Sequence, residues 1–208
     1  MAYPTVSAPY GLQPINRVDG LPYAGAVRQI PIASTYNTAI FNGDIVRIAA
    51  GGTVVKSTVT VNSTGAAANY TAGVFVGVQY VNAQGQTVQA QYYPGNAAAT
   101  SAVAYVVDDP MAAFKVAVTL SNGAMSTVNQ SAVGANFSVV QGTGSTVTGD
   151  SAVSVYATDA QGNAAALPVR VIAVVPDTAA NATAFREVIV KINNHQYLVA
   201  GEGVDYAA

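Results

Sequence analysis

The chain contains no cysteine and no tryptophan, and its one histidine is His195. Without cysteine there are no disulfides, no thiolate metal sites and no cysteine nucleophile. With one histidine, only one side chain has an ordinary pKa near neutrality, so acid–base chemistry has few candidates. Charge is scarce too: 9% of residues, eight basic against ten acidic, for a net charge of −2. The cations Arg17, Arg28, Arg47, Lys56, Lys115, Arg170, Arg186 and Lys191 are scattered, with no two adjacent. Nucleic-acid binding draws on clustered cations that displace counterions, so no direct nucleic-acid partner is expected. Long apolar runs are missing as well. Hydrophobic residues make up 51% of the chain, but stretches such as VIAVV (171–175) fall far short of the roughly 20 residues a membrane-spanning helix needs. The opening MAYPTVSAPYG lacks the basic start and apolar run of a secretory signal. A protein outside the membrane is expected, hiding surface in partners because charge contributes little to its solubility.

The first 32 residues have their own character. Prolines at 4, 9, 14, 22 and 31 alternate with Tyr3, Tyr10 and Tyr23. Proline at this density opposes helix and central strand and favours extended backbone. Residues 1–32 therefore read as an arm that docks on its own body or on a neighbour, separable from a core that folds without it. Residues 33–208 read as a single β-rich domain. Gly51-Gly52 separates strand-like runs at 45–49 and 53–61 as a hairpin signal. Residues 74–80 alternate with period two, Asn82 to Gly85 supplies a turn, and 87–93 forms the return strand. Further strands are expected at 103–107, 113–120, 137–140, 152–156, 167–175 and 186–192. A short helical turn is expected at 127–132, closed by Gly134 in the left-handed conformation. Many short strands at about ten-residue spacing predict an all-β fold, a β-sandwich or open β-barrel of antiparallel strands with the extended arm.

Candidate chemical motifs are weak. GTGSTVTGD (142–150) lacks the lysine of a phosphate loop and the third glycine of a dinucleotide fingerprint, and reads as a flexible polar loop. His195, in KINNHQYLVAG, has no carboxylate beside it and no Gly-x-Ser-x-Gly partner, so a structural role near a strand end is expected. Asp108, Asp109, Asp150, Asp159 and Glu187 are the carboxylates that folding might pair for glycoside hydrolysis. Asp108 and Asp109 in AYVVDDPMAAFKV are also weak calcium candidates. Adjacent side chains of an extended chain diverge, however, and the D-x-D-x-D-G pattern is absent. Asp109 before Pro110 reads as a helix cap followed by proline at the first helical position, with Asp108 ending the strand. Asn-x-Ser/Thr sequons at Asn62, Asn69, Asn129, Asn136 and Asn181 are expected by chance in a chain this rich in Asn, Ser and Thr. No catalytic residue, metal or cofactor is assigned.

Several stretches occur together in a distinctive order: YGLQPINRVDGLPYAGAVRQIPIAS (10–34), IFNGDIVRI (40–48), GTVVK (52–56), GVFVGVQY (73–80), YYPG (92–95), AYVVDDP (104–110), LPVRVIAVV (167–175) and VIVKINNHQ (188–196). In these the chain resembles a family of structural proteins from tailed bacteriophages, cyanophages and other marine podoviruses among them, that decorate and cement the capsid. The resemblance covers about residues 10–200. It implies a non-enzymatic protein of the virion's outer capsid surface that binds the major capsid protein, stabilises the head and self-associates, as a trimer rather than a dimer. On that reading Tyr3, Tyr10, Leu12 and Tyr23 are expected as interface anchors, with Arg17 and Arg28 as hydrogen-bonding forks. A receptor- or glycan-binding module of the virion surface is the alternative, followed by a hydrolase and by a tail or head-completion protein.

Overall fold

A computed structural model describes residues 6–58, 70–95, 100–160, 167–179 and 185–198. Twelve strands run in chain order: β1 Gln13–Arg17, β2 Arg28–Pro31, β3 Ile45–Ile48, β4 Val54–Lys56, β5 Gly73–Val81, β6 Thr87–Ala90, β7 Thr100–Val107, β8 Ala112–Thr119, β9 Asn136–Val140, β10 Ser154–Ala160, β11 Val169–Val174 and β12 Glu187–Ile192. Among the described residues, helix is confined to a 3₁₀ turn at Gln130–Ala132, capped by Asn129, and a four-residue helix, Pro176–Ala179. Gly134 follows the 3₁₀ turn at φ 89°. No helix among the described residues is long and apolar enough to cross a membrane.

The strands form two sheets. In the first, β8, β10, β9, β11 and β12 follow one another, and β12 pairs back onto β8, so five strands close into a small barrel. Its pairings are antiparallel except β8 with β10. The fold is all-β, as expected, and closure joins the two ends of this run of strands into a small barrel. The second sheet has the order β2-β7-β5-β3-β4, with β6 paired to the far half of β5. A parallel bridge between Ile32 and Val54 brings the chain after β2 against β4, curling this sheet toward closure.

Each sheet wraps its own core. Leu12, Phe114, Val116, Phe137, Val155, Val169 and Val190 fill the first, and Ile30, Ile40, Val46, Phe75, Tyr93 and Val106 the second. Full burial of such a side chain contributes about 1.5–3 kcal/mol before the entropy of ordering it is subtracted. Where the sheets meet, three strands serve both cores. Ile45, Val74 and Val107 point into the first, while their neighbours Val46, Phe75 and Val106 point into the second. Strands buried on both faces need continuous apolar sequence, which accounts for GVFVGV and YVV. Gly73 sits at this junction because a Cβ there would fall 2.2 Å from the Val107 carbonyl oxygen.

The arm is part of this architecture. β1 joins the edge of β8, and β2 pairs with β7, so the segment lies on its own chain. Pro14 and Pro31 are tolerated because both strands are edges, where a missing N–H leaves no central ladder broken. Gly11 and Gly43, both at positive φ, let the arm's backbone cross the body, and a Cβ on either would meet the other's Cα within 3.0 Å. Leu12, 1% exposed, is a core residue, so the arm is not the detachable element its composition suggested. Elsewhere the strands begin or end within a few residues of expectation. The run expected at 53–61 is a strand only at 54–56, and its last residues lie outside the described ones. β6 stops at Ala90, and Tyr93 instead makes a single bridge to Ile40.

Candidate functional site

The paired aspartates lie in the turn that carries the chain from β7 in one sheet to β8 in the other. The Asp109 carbonyl accepts the Ala112 N–H at 3.0 Å, and its Oδ1 accepts the Met111 N–H at 2.9 Å. This is a β-turn with proline at its second position, held by an aspartate bonding its own backbone two residues on. The cap-and-proline pattern predicted a helix start. No helix follows, because AAFKVAVT carries buried β-formers that are claimed by β1, β10 and β12.

Each aspartate engages a different arginine. Asp108 Oδ2 lies 2.8 Å from Arg28 Nε. Asp109 pairs with Arg17, whose fork also holds Asp19 at 2.6 Å; that guanidinium keeps the Asp19 carboxyl below its usual range. The two calcium candidates therefore carry arginines, and among the described residues no group of three or more His, Cys, Asp or Glu is placed to hold a metal ion. His195 is fully buried near this turn. Its Nδ1 accepts the Tyr197 N–H at 3.2 Å, and Nε2 has no hydrogen bond of good geometry. Burial lowers its pKa below 6.5, opposed by the Asp108 charge and the nearby carbonyls of Ala72 and Asp108.

The expected interface residues fasten the arm instead. The Tyr10 hydroxyl donates to the buried Glu187 carboxylate, which Lys115 Nζ also meets at 3.1 Å. Burial, and then Glu187, push the Tyr10 phenol well above its ordinary pKa. Leu12 is in the core, Tyr23 packs against the first core, and Arg17 and Arg28 hold the turn. Tyr3 lies outside the described residues. An apolar or hydrogen-bonding group docks on its own chain first because the effective concentration there is high. The remaining hydrolase candidates are Asp150, Asp159 and Glu187. Asp150 accepts from Gln91 at 2.8 Å on the rim of a cleft, Glu187 is sealed under Tyr10, and the Asp159 side chain lies outside the described residues. Among the sequons, Asn129 is the 3₁₀ cap, and Asn136 is buried with Arg170 Nε on its Oδ1 at 2.8 Å. Asn62, Asn69 and Asn181 lie outside the described residues.

One buried network was not visible as a motif. Asp44, fully buried, accepts from the Phe41 N–H at 2.8 Å and the Ser151 hydroxyl at 2.6 Å, and its Oδ2 lies 2.8 Å from Lys56 Nζ. Asp44 and Ser151 are 107 positions apart, so only the oddity of an acid inside IFNGDIV hinted at the network. Ser151 donates its proton to a carboxylate already paired with a lysine, the arrangement of a structural clasp. The loop expected to be flexible at 141–151 is pinned here: Asn42 N–H donates to the Gly149 carbonyl at 3.0 Å, and Ser151 N–H to that of Asn42 at 2.8 Å. Gly144 packs on the Phe41 ring, where a Cβ would come within 2.3 Å.

Two clefts accompany the network. One, of about 640 Å³, lies between residues 6–10 of the arm and the 143–152 loop, with Ser7, Tyr10, Thr143, Ser145, Thr148 and Asp150 on its walls. The other, of about 450 Å³, opens beside β3 and β4. Comparison with known protein families, with curated proteins and with solved structures finds no match to this chain.

Proposed function

We propose that the protein is a non-enzymatic structural component of a bacteriophage virion, a decoration or cement protein that binds the outer capsid surface. The observation that carries this reading is the concentration of exposed apolar side chains on the arm, on the turn it holds and at Tyr197 and Leu198. Seven of the ten large apolar side chains that stay exposed among the described residues lie there: Ile15, Val18, Leu21, Val27, Met111, Tyr197 and Leu198. Continuity comes from the Val18 N–H bond to the Met111 carbonyl and from Arg28, which lies over the Tyr197 ring at 4.9 Å. The charges of the turn are paired internally. Such a surface suits repeated docking on a lattice, where modest affinity per copy multiplies. The ordered resemblance over residues 10–200 supports the same assignment, with the major capsid protein and further copies of this chain as partners and a trimer as the assembly.

The test is to mix purified protein with capsids lacking it and image them. Decoration of the lattice, weakened at least tenfold by Leu21→Asp with Val27→Asp, is the expected result. Bare capsids would sink the reading. The hydroxyl-lined cleft beside Tyr10 favours a second reading, a glycan-binding module. Saturable binding to a polysaccharide array, lost in Thr148→Val, would select it.

A further inference from the structure

Of the basic side chains that stand in no ion pair among the described residues, Arg47 is on the wall of a cleft. Arg47 lies on β3 opposite Val55 of β4. Its Nε is buried without a hydrogen-bond partner, and none of the ion pairs among the described residues includes it. The acids within reach of other cations are taken: Asp44 by Lys56, Asp108 by Arg28, Asp19 and Asp109 by Arg17, and Glu187 by Lys115. A guanidinium with a buried, unmatched N–H is costly unless an anion completes it.

Arg47 lines the cleft of about 450 Å³ together with Tyr36, Thr38, Val55 and Lys56. Tyr36 offers a second donor in the same place. Its hydroxyl oxygen accepts the Lys56 backbone N–H at 2.8 Å, which leaves the phenolic proton to give. Lys56 adds no uncompensated charge, because its ammonium is held by Asp44. The walls therefore present one net positive charge and a planar fork, with the Tyr36 phenol beside the smaller hydroxyl residues Thr38, Ser57 and Thr58, the Gln141 amide and the apolar side chain of Val55. That combination matches a planar monoanion carried on an apolar stem; a phosphate dianion would bring a charge the cleft does not balance.

We propose that this cleft is a binding site for an organic monocarboxylate, the carboxylate bridged by the Arg47 guanidinium and the Tyr36 hydroxyl. The carboxylate comes either from a small molecule or from an acidic side chain of another protein, and the site is separate from the apolar surface assigned to docking. Neither the capsid reading nor its failure bears on it.

The full chain, labelled with ¹⁵N at arginine, is titrated with sodium benzoate while the Nε–H resonances are followed, Arg47 being assigned from the variant Arg47→Gln. A saturable shift of the Arg47 resonance in the millimolar range is expected, weakened about tenfold or more in Arg47→Gln (read from the Tyr36 ring) and about threefold or more in Tyr36→Phe. Arg47→Lys keeps the charge but not the fork, and should bind less tightly than the parent; it serves if Arg47→Gln melts early. A blocked peptide with one glutamate, titrated in parallel, separates the sources: tighter binding than benzoate points to a protein acid, weaker binding to a small molecule. No saturable shift, unchanged binding in a folded Arg47→Gln, or tighter binding of inorganic phosphate than of benzoate overturns the proposal.

Discussion

His195 is the chain's single histidine, buried beside the turn that carries Asp108 and Asp109. Burial holds its pKa below 6.5, so the unfolded chain takes up a proton where the folded chain does not. The unfolded state then binds more protons, and stability must decline as pH falls from about 6.5 toward the folded value. Asp108 and Asp109, the charges facing the ring, soften this decline, while Arg28 is occupied by Asp108 and the Tyr197 ring. Melting followed from about pH 7 to pH 5 should show a falling Tm that His195→Gln largely flattens. An equal slope in both proteins would mean that other groups govern the window. The sequence around His195 offers no carboxylate, and the two that face the ring in the fold come from Asp108 and Asp109. The depth of His195 was not legible there either, because burial of KINNHQ depends on a parallel bridge to Thr71, 124 positions earlier.

At the level of elements, the arm shows where composition stops informing. Proline spacing correctly announced extended backbone, but an edge strand and a loose extended segment share that signature, and only the partner strand separates them. Here β8 supplies the partner through a register running from Gln13↔Lys115 to Arg17↔Ala112. The β-hairpins were readable because alternation and turn residues are local, whereas closure of β12 onto β8 joins positions seventy or more residues apart. The same limit hid the Asp44–Lys56–Ser151 clasp and the Arg47–Tyr36 cleft, whose members meet only after folding. Leu12→Ala should cost about 2–5 kcal/mol, as truncation of a buried leucine does when its surroundings cannot collapse. Removal of residues 1–25 should lower stability by more than that, since β1 leaves with Leu12. Urea midpoints for the two variants check both statements, and a deletion that melts like the parent would show that β1 adds nothing to the barrel.

For the molecule as a whole, β3, β5 and β7 contribute side chains to both cores, so each core is packed in part by strands of the second sheet that also serve the other. Unfolding is therefore expected as one transition, with calorimetric and van't Hoff enthalpies equal and with tyrosines of both sheets reporting the same midpoint. Two resolved transitions would mean that the cores are energetically separate. The path of the chain adds a consequence for synthesis. The second sheet is built from residues 28–107 in one continuous stretch, while the barrel takes β1 from before that stretch and β8–β12 from after it. On the ribosome the second sheet has all its strands long before the barrel can close. β1 must then wait, edge exposed, until its partner emerges nearly a hundred residues later. A segment with that delay gains from being stiff, poor in hydrogen-bond donors and reluctant to pair with the wrong strand, and prolines at 9, 14 and 22 supply those properties.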